Sequence, residues 1–109
     1  VTWFYNNCVV AAVESVLAML PKGRKVVIVE VGAGTGGTAS NVLPVVKHVC
    51  ERYVFTDVSD FFLRGARRRF AEYPFIAYEL LNIDSDVRIQ GYASHANDML
   101  LSANCLHAT

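Results

Sequence analysis

The chain has 109 residues, enough for one small domain with a buried core and too few for two. Ten basic and ten acidic side chains cancel, which removes the global field that would draw nucleic acid or an anionic membrane surface. Cys8, Cys50 and Cys105 are odd in number and widely spaced among apolar neighbours, so neither a disulfide framework nor a metal cluster is indicated, and they read as buried thiols in a reducing compartment.

Val9, Val10, Val13, Val16, Leu17 and Leu20 recur at helical spacing, with Asn6 or Asn7 as a cap and Pro21 and Gly23 as the stop, which predicts a first helix. Its apolar run, Cys8 to Leu20, is interrupted by Glu14 and too short for a bilayer, and no basic segment precedes it as in a secretory signal. A cytoplasmic location is expected. A strand follows near Lys25 to Val31, almost wholly apolar, as a parallel strand covered on both faces requires. Gly32, Gly34, Gly36 and Gly37 then crowd a sharp turn into a helix near Gly37 to Val49.

The next strand is expected near Tyr53 to Thr56, and a helix near Asp60 to Glu72 sets Arg64, Arg67, Arg68 and Arg69 beside Phe62, Ala66 and Phe70. These arginines read as a solvated helix face. A third strand near Phe75 to Leu81, a short helix or loop over Asp84 to Tyr92, and a fourth strand near Asp98 to Ala103 complete the alternation. Alternating β and α elements with short links imply right-handed crossovers. The expected fold is therefore α/β, a Rossmann-like doubly wound parallel sheet in its N-terminal half, strand order 3-2-1-4, with a preceding helix. Such sheets continue past the switch in strand order, so residues 1–109 are expected to be a partial domain with the fourth strand's outer edge unpaired.

The glycine loop behind an apolar strand and before a helix is suited to hold a ligand, because backbone N–H groups and the positive end of a helix dipole converge there. Gly32, Gly34 and Gly37 also satisfy the G-x-G-x-x-G spacing of dinucleotide-binding folds, so a nicotinamide-dependent reductase stays open. Asp57 ends the second strand about 25 residues past Gly32, near the distance of an acid that grips a ribose diol.

Four stretches carry a resemblance: Glu30 to Gly37, Phe55 to Ser59, Leu80 to Asp84 and Ser102 to Thr109. Over essentially its whole length the chain resembles the class I S-adenosylmethionine-dependent methyltransferases, and more closely the C-methyltransferase domains of polyketide synthases. The resemblance implies S-adenosyl-L-methionine as cofactor, with Gly32, Ala33 and Gly34 against its methionyl part and Glu30 beneath them, ordering the loop and reaching the amino group through water. It implies that Asp57 binds both ribose hydroxyls, Val58 and Ile83 pack on the adenine, and the backbone at Ala103 and Asn104 approaches the methionyl ammonium. Asn82 stands where the family usually has Asp facing the adenine amino group; its amide oxygen can accept that bond without charge assistance.

His107 follows the fourth strand, and the resemblance implies a general base there, oriented by a glutamate farther along the chain. His48 and His95 read as surface residues. The implied reaction is methyl transfer to the α-carbon of a β-ketoacyl intermediate bound to an acyl carrier protein, beside neighbouring synthase domains. An O- or N-methyltransferase domain and a non-catalytic, decayed methyltransferase scaffold remain alternatives. An amino-methyltransferase of DNA or RNA is disfavoured, because Asn104-Cys-Leu-His107 replaces the Asn/Asp-Pro-Pro-aromatic run of those enzymes.

Overall fold

Five parallel strands form one sheet in the computed structural model, which describes residues 2–4, 9–81 and 99–101. In chain order the elements are β1 (Thr2–Phe4), α1 (Val9–Met19), β2 (Val26–Glu30), α2 (Gly37–Val46), β3 (Cys50–Asp57), α3 (Asp60–Arg69), β4 (Ile76–Leu80) and β5 (Met99–Leu101). Across the sheet the order is β1-β5-β2-β3-β4. The four expected strands thus take the expected 3-2-1-4 arrangement, with β2 first in that count and central.

β1 was not foreseen. It lies parallel on the outer edge of β5, Thr2 opposite Met99 and Phe4 opposite Leu101, so the edge expected to be open is paired. Three residues are too few to display a two-residue alternation, which is why the pattern alone could not reveal this strand. β3 begins at Cys50 rather than Tyr53, because exposed Glu51 and Arg52 interrupt the apolar run while the backbone already follows β2.

The strand residues alternate between two faces. Val26, Ile28, Tyr53, Phe55, Met99 and Leu101 share one apolar cluster with side chains of all three helices, among them Val13 of α1, Val42, Leu43 and Val46 of α2, and Leu63 and Ala66 of α3. Val29, Val31, Val54, Leu81 and Leu100 form a second cluster on the other face. Burying each large side chain stabilises the fold by about 1.5–3 kcal/mol. Aromatic packing joins α3 to the sheet: Phe55 meets the Phe70 ring at 6.2 Å and the Tyr78 ring at 5.7 Å. Cys50 is buried as expected, and burial pushes its thiol up to about 12, which makes it unreactive. Cys8 and Cys105 lie outside the described residues.

α2 and α3 end at Val46 and Arg69, three residues before the sequence pattern does. Behind α2 a turn continues, with the Val49 N–H donating to the Val46 carbonyl at 2.8 Å before β3 begins. The segment expected as a short helix or loop over Asp84 to Tyr92 is outside the described residues. Among the described residues no helix is long and apolar enough to cross a membrane.

Candidate functional site

Between β2 and α2 the chain must leave the sheet, fold back over β3 and re-enter a helix within six residues, numbers 31–36. Gly32, Gly34 and Gly36 take φ of 67°, 57° and 90°, the left-handed region that side chains disfavour. Val31 N–H still donates to the Leu101 carbonyl at 2.8 Å, and Ala33 N–H to the Thr56 carbonyl at 2.9 Å. The loop is thereby fastened to the carboxyl ends of β5 and β3.

Asp57 completes that attachment. Its Oδ2 accepts the Gly34 N–H at 2.7 Å and its Oδ1 accepts the Ser59 N–H at 2.9 Å, while its carbonyl accepts the Leu81 N–H at 2.8 Å. A carboxylate offers about four lone-pair sites, so two remain for a ligand's hydroxyls. The sequence paired Asp57 with the loop by spacing alone; the structure joins them by a direct bond.

The glycines differ in purpose. A Cβ built on Gly34 meets nothing within 4 Å, so open space lies over that part of the loop. One built on Gly36 would stand 2.9 Å from Cε2 of Phe70, so Gly36 is required by packing against the end of α3. Ala33 is 5% exposed, its methyl packs in the helix-side core, and its N–H is already bonded. A ligand could meet only the remaining backbone there. Val58, beside Asp57, is 69% exposed, an apolar surface available to a flat ring.

Glu30 ends β2 directly beneath the loop and is 1% exposed. Its Oε1 accepts the Tyr53 hydroxyl at 2.6 Å, and its carbonyl accepts the Thr56 hydroxyl at 2.6 Å. Burial pushes the Glu30 carboxyl up to about 7; the Tyr53 bond pulls it down and the charge of Asp57 adds to the rise. Among the described residues no donor reaches Oε2. An open space over Gly34, a buried carboxylate oxygen with no donor among the described residues and an exposed valine beside an acid are the features a cationic, ribose-bearing cofactor would fill.

Tyr53, Thr56, Arg69 and Phe70 take part in the site without having been foreseen as site residues. Strand register brings Tyr53 and Thr56 to Glu30, and a single sequence does not print register. The α3 arginines are exposed, as expected, and three of them make contacts as well. Arg69 donates to the Thr35 carbonyl at 2.8 Å, Arg67 lies 4.8 Å from the centre of the Tyr78 ring, and exposed Arg64 pairs with Asp60 at 3.1 Å. His48 is exposed, as expected. Asn82, Ile83, Ala103, Asn104 and His107, and with them His95, lie outside the described residues. Among the described residues no group of three His, Cys, Asp or Glu side chains could hold a metal ion.

No family model matches the chain. It is 40% identical over 99 residues to the clavatol synthase claF of Penicillium crustosum, a match covering 88% of this chain and 4% of that protein. It is 38% identical over 99 residues to the citrinin polyketide synthase of Monascus ruber, with the same shares. Among solved structures, the CurJ carbon methyltransferase aligns with a TM-score of 0.79 and 38% identity over 93% of this chain and 27% of that one. The citrinin polyketide synthase CMeT domain aligns with a TM-score of 0.72 and 37% identity over 89% of this chain and 26% of that one. The trans-methyltransferase CalH, solved in complex with SAH, aligns at 0.66 and 39% identity over 78% and 25%.

The parallel order, the glycine loop and the acid at the end of β3 define this as the Rossmann-like fold of S-adenosylmethionine-dependent methyltransferases, in its N-terminal part. Within that class the chain is most like the carbon methyltransferase domains of polyketide synthases. It spans 4% of the curated synthases named above and about a quarter of the solved methyltransferases, 27% in the first.

Proposed function

We propose that the chain is the cofactor-binding part of a domain that transfers the methyl group of S-adenosylmethionine to the α-carbon of a carrier-bound β-ketoacyl intermediate. The observation that carries this reading is the bond from Gly34 N–H to the Asp57 carboxylate, which sets a cofactor loop and a ribose acceptor side by side. The identity to carbon methyltransferases supports the choice of carbon over oxygen or nitrogen. When bound, the cofactor supplies a methyl group activated by a sulfonium.

The chain's own residues then have distinct tasks. Gly32, the Ala33 backbone and Gly34 accommodate the methionyl part, Glu30 meets its ammonium end, and the free lone pairs of Asp57 accept the ribose hydroxyls. Val58 and Ile83 enclose the adenine, Asn82 accepts from its amino group, and the backbone at Ala103 and Asn104 closes the methionyl end. His107 acts as general base. A hydrogen between a ketone and a thioester is acidic enough for an imidazole of pKa near ~6.5. His107 removes it, and the resulting enolate carbon is the nucleophile. The substrate arrives on an acyl carrier protein in the cytoplasm, with neighbouring synthase domains delivering and removing it.

Substituting His107→Ala in the full-length protein tests the base. Methylation of a β-ketoacyl carrier substrate should fall by roughly 10²–10⁴, the usual worth of a positioned base, with cofactor affinity nearly intact. Wild-type turnover in a folded His107→Ala protein, read by mass spectrometry beside a thermal melt, ends the assignment. Loss of stability and affinity together with unchanged turnover per folded molecule makes His107 a packing residue.

A further inference from the structure

Beneath the glycine loop two titratable side chains share a hydrogen bond almost closed to water. Tyr53 is fully buried, pairs in register with Ile28, and lies in the helix-side core. A phenylalanine would fill the same apolar space, so the hydroxyl there needs a reason. It reaches along the sheet to Glu30 Oε1 at 2.6 Å, whereas Oε2 has no donor among the described residues. A buried carboxylate held by one oxygen keeps half its acceptor capacity for something else. Glu30 sits where the chain enters the loop, beneath the open space over Gly34.

We propose that Tyr53 is a positioning residue for cofactor binding: its hydroxyl fixes the Glu30 carboxylate by one oxygen and presents the other to the cofactor's ammonium, directly or through water, so that affinity is linked to protonation of this pair. The proposal rests on the reading above in which Glu30 meets the cofactor.

Few other charges face the pair. β3 supplies Asp57, and Cys50 near Tyr53; β5 contributes Met99, Leu100 and Leu101, and α2 and the loop carry no titratable side chain. Glu14 of α1 is exposed, as are Asp60 and the arginines of α3. Burial and Asp57 favour the protonated Glu30, up to about 7, and the Tyr53 bond opposes them. A cation entering beside Oε2 favours the carboxylate, so the empty site holds a proton that the filled site releases. Affinity must therefore fall as pH drops through about 7, by up to about tenfold per pH unit. Without the Tyr53 hydroxyl the carboxylate loses its donor, and the inflection moves to higher pH.

The test is the dissociation constant of S-adenosylhomocysteine for the full-length protein, by calorimetry from about pH 5.5 to 8.5, with thermal melts, in the wild type, Tyr53→Phe and Glu30→Gln. Wild type should lose affinity below about pH 7. Tyr53→Phe should shift the inflection upward by about one pH unit, bind more weakly near neutrality, and approach wild type as pH rises. Glu30→Gln should bind weakly with that inflection gone. If Tyr53→Phe does not fold at assay temperature, 3,5-difluorotyrosine at position 53, a stronger donor of nearly the same shape, should move the inflection downward. An inflection unmoved by the change at position 53, while Glu30→Gln weakens binding, overturns the positioning role alone. Wild-type affinity at every pH in Glu30→Gln overturns the contact between Glu30 and the cofactor, and the proposal with it.

Discussion

Asp57 holds the loop together and, in the function proposed above, also binds the cofactor's ribose. Two backbone N–H groups, from Gly34 and Ser59, end on its carboxylate. Asp57→Ala would leave both donors unmatched at a part-buried site, at about 1–3 kcal/mol each, and would also remove the proposed ribose acceptor, about 1.5–3 kcal/mol of binding for hydrogen bonds to a charged group. The expected result is a lowered melting temperature together with weaker S-adenosylmethionine binding in titration of the full-length protein. Unchanged affinity in a folded Asp57→Ala protein would remove Asp57 from the site.

Glu30 gives a stability prediction of definite sign. Its carboxyl is raised from 4.5 to about 7 in the fold, so the folded state favours the protonated form. Below about 4.5 both states are protonated and no penalty exists; as pH rises to about 7 the unfolded chain ionises first and stability is lost, by about 3 kcal/mol at most. In melts without cofactor, the wild type should therefore lose stability relative to Glu30→Gln between those pH values and stay level above them. A difference that does not vary with pH would contradict the burial argument.

At the scale of elements, the loop depends on two supports of different kinds. Gly34 has space above it and Gly36 has none, with the Phe70 ring in the way and φ at 90°. Gly36→Ala should cost about 1–2 kcal/mol for the left-handed backbone and more for the displaced ring, seen as a lower melting temperature. Gly34→Ala bears only the backbone cost but fills the cradle, so it should weaken cofactor binding at least about tenfold out of proportion to its effect on stability. The reverse pattern would exchange the roles of the two glycines. A glycine string is plain in the sequence. Which glycine faces a ligand and which faces Phe70 depends on where α3 ends against the loop, a contact between residues more than thirty positions apart that no local pattern records.

For the whole molecule, the alternation of apolar runs was enough to read the parallel order, because strands buried on both faces must be continuously apolar and their crossovers have one hand. β1 escaped because it is three residues long and its partner β5 is about a hundred residues away. Asp57 was legible from spacing, whereas Tyr53 was not, since an aromatic residue in an apolar run looks like core until register sets its hydroxyl on Glu30. Asn82, Ile83, Ala103, Asn104 and His107 rest on the resemblance alone.

Methylation at carbon is tested by following one methyl group. The full-length protein is supplied with S-adenosylmethionine carrying a ¹³C-labelled methyl and a β-ketoacyl chain on an acyl carrier protein. The released acyl product is then examined by mass spectrometry and ¹³C NMR. One added methyl is expected, with the label on the α-carbon between ketone and thioester. Label on oxygen or nitrogen, or no label in a folded protein that binds nicotinamide cofactors instead, would contradict it.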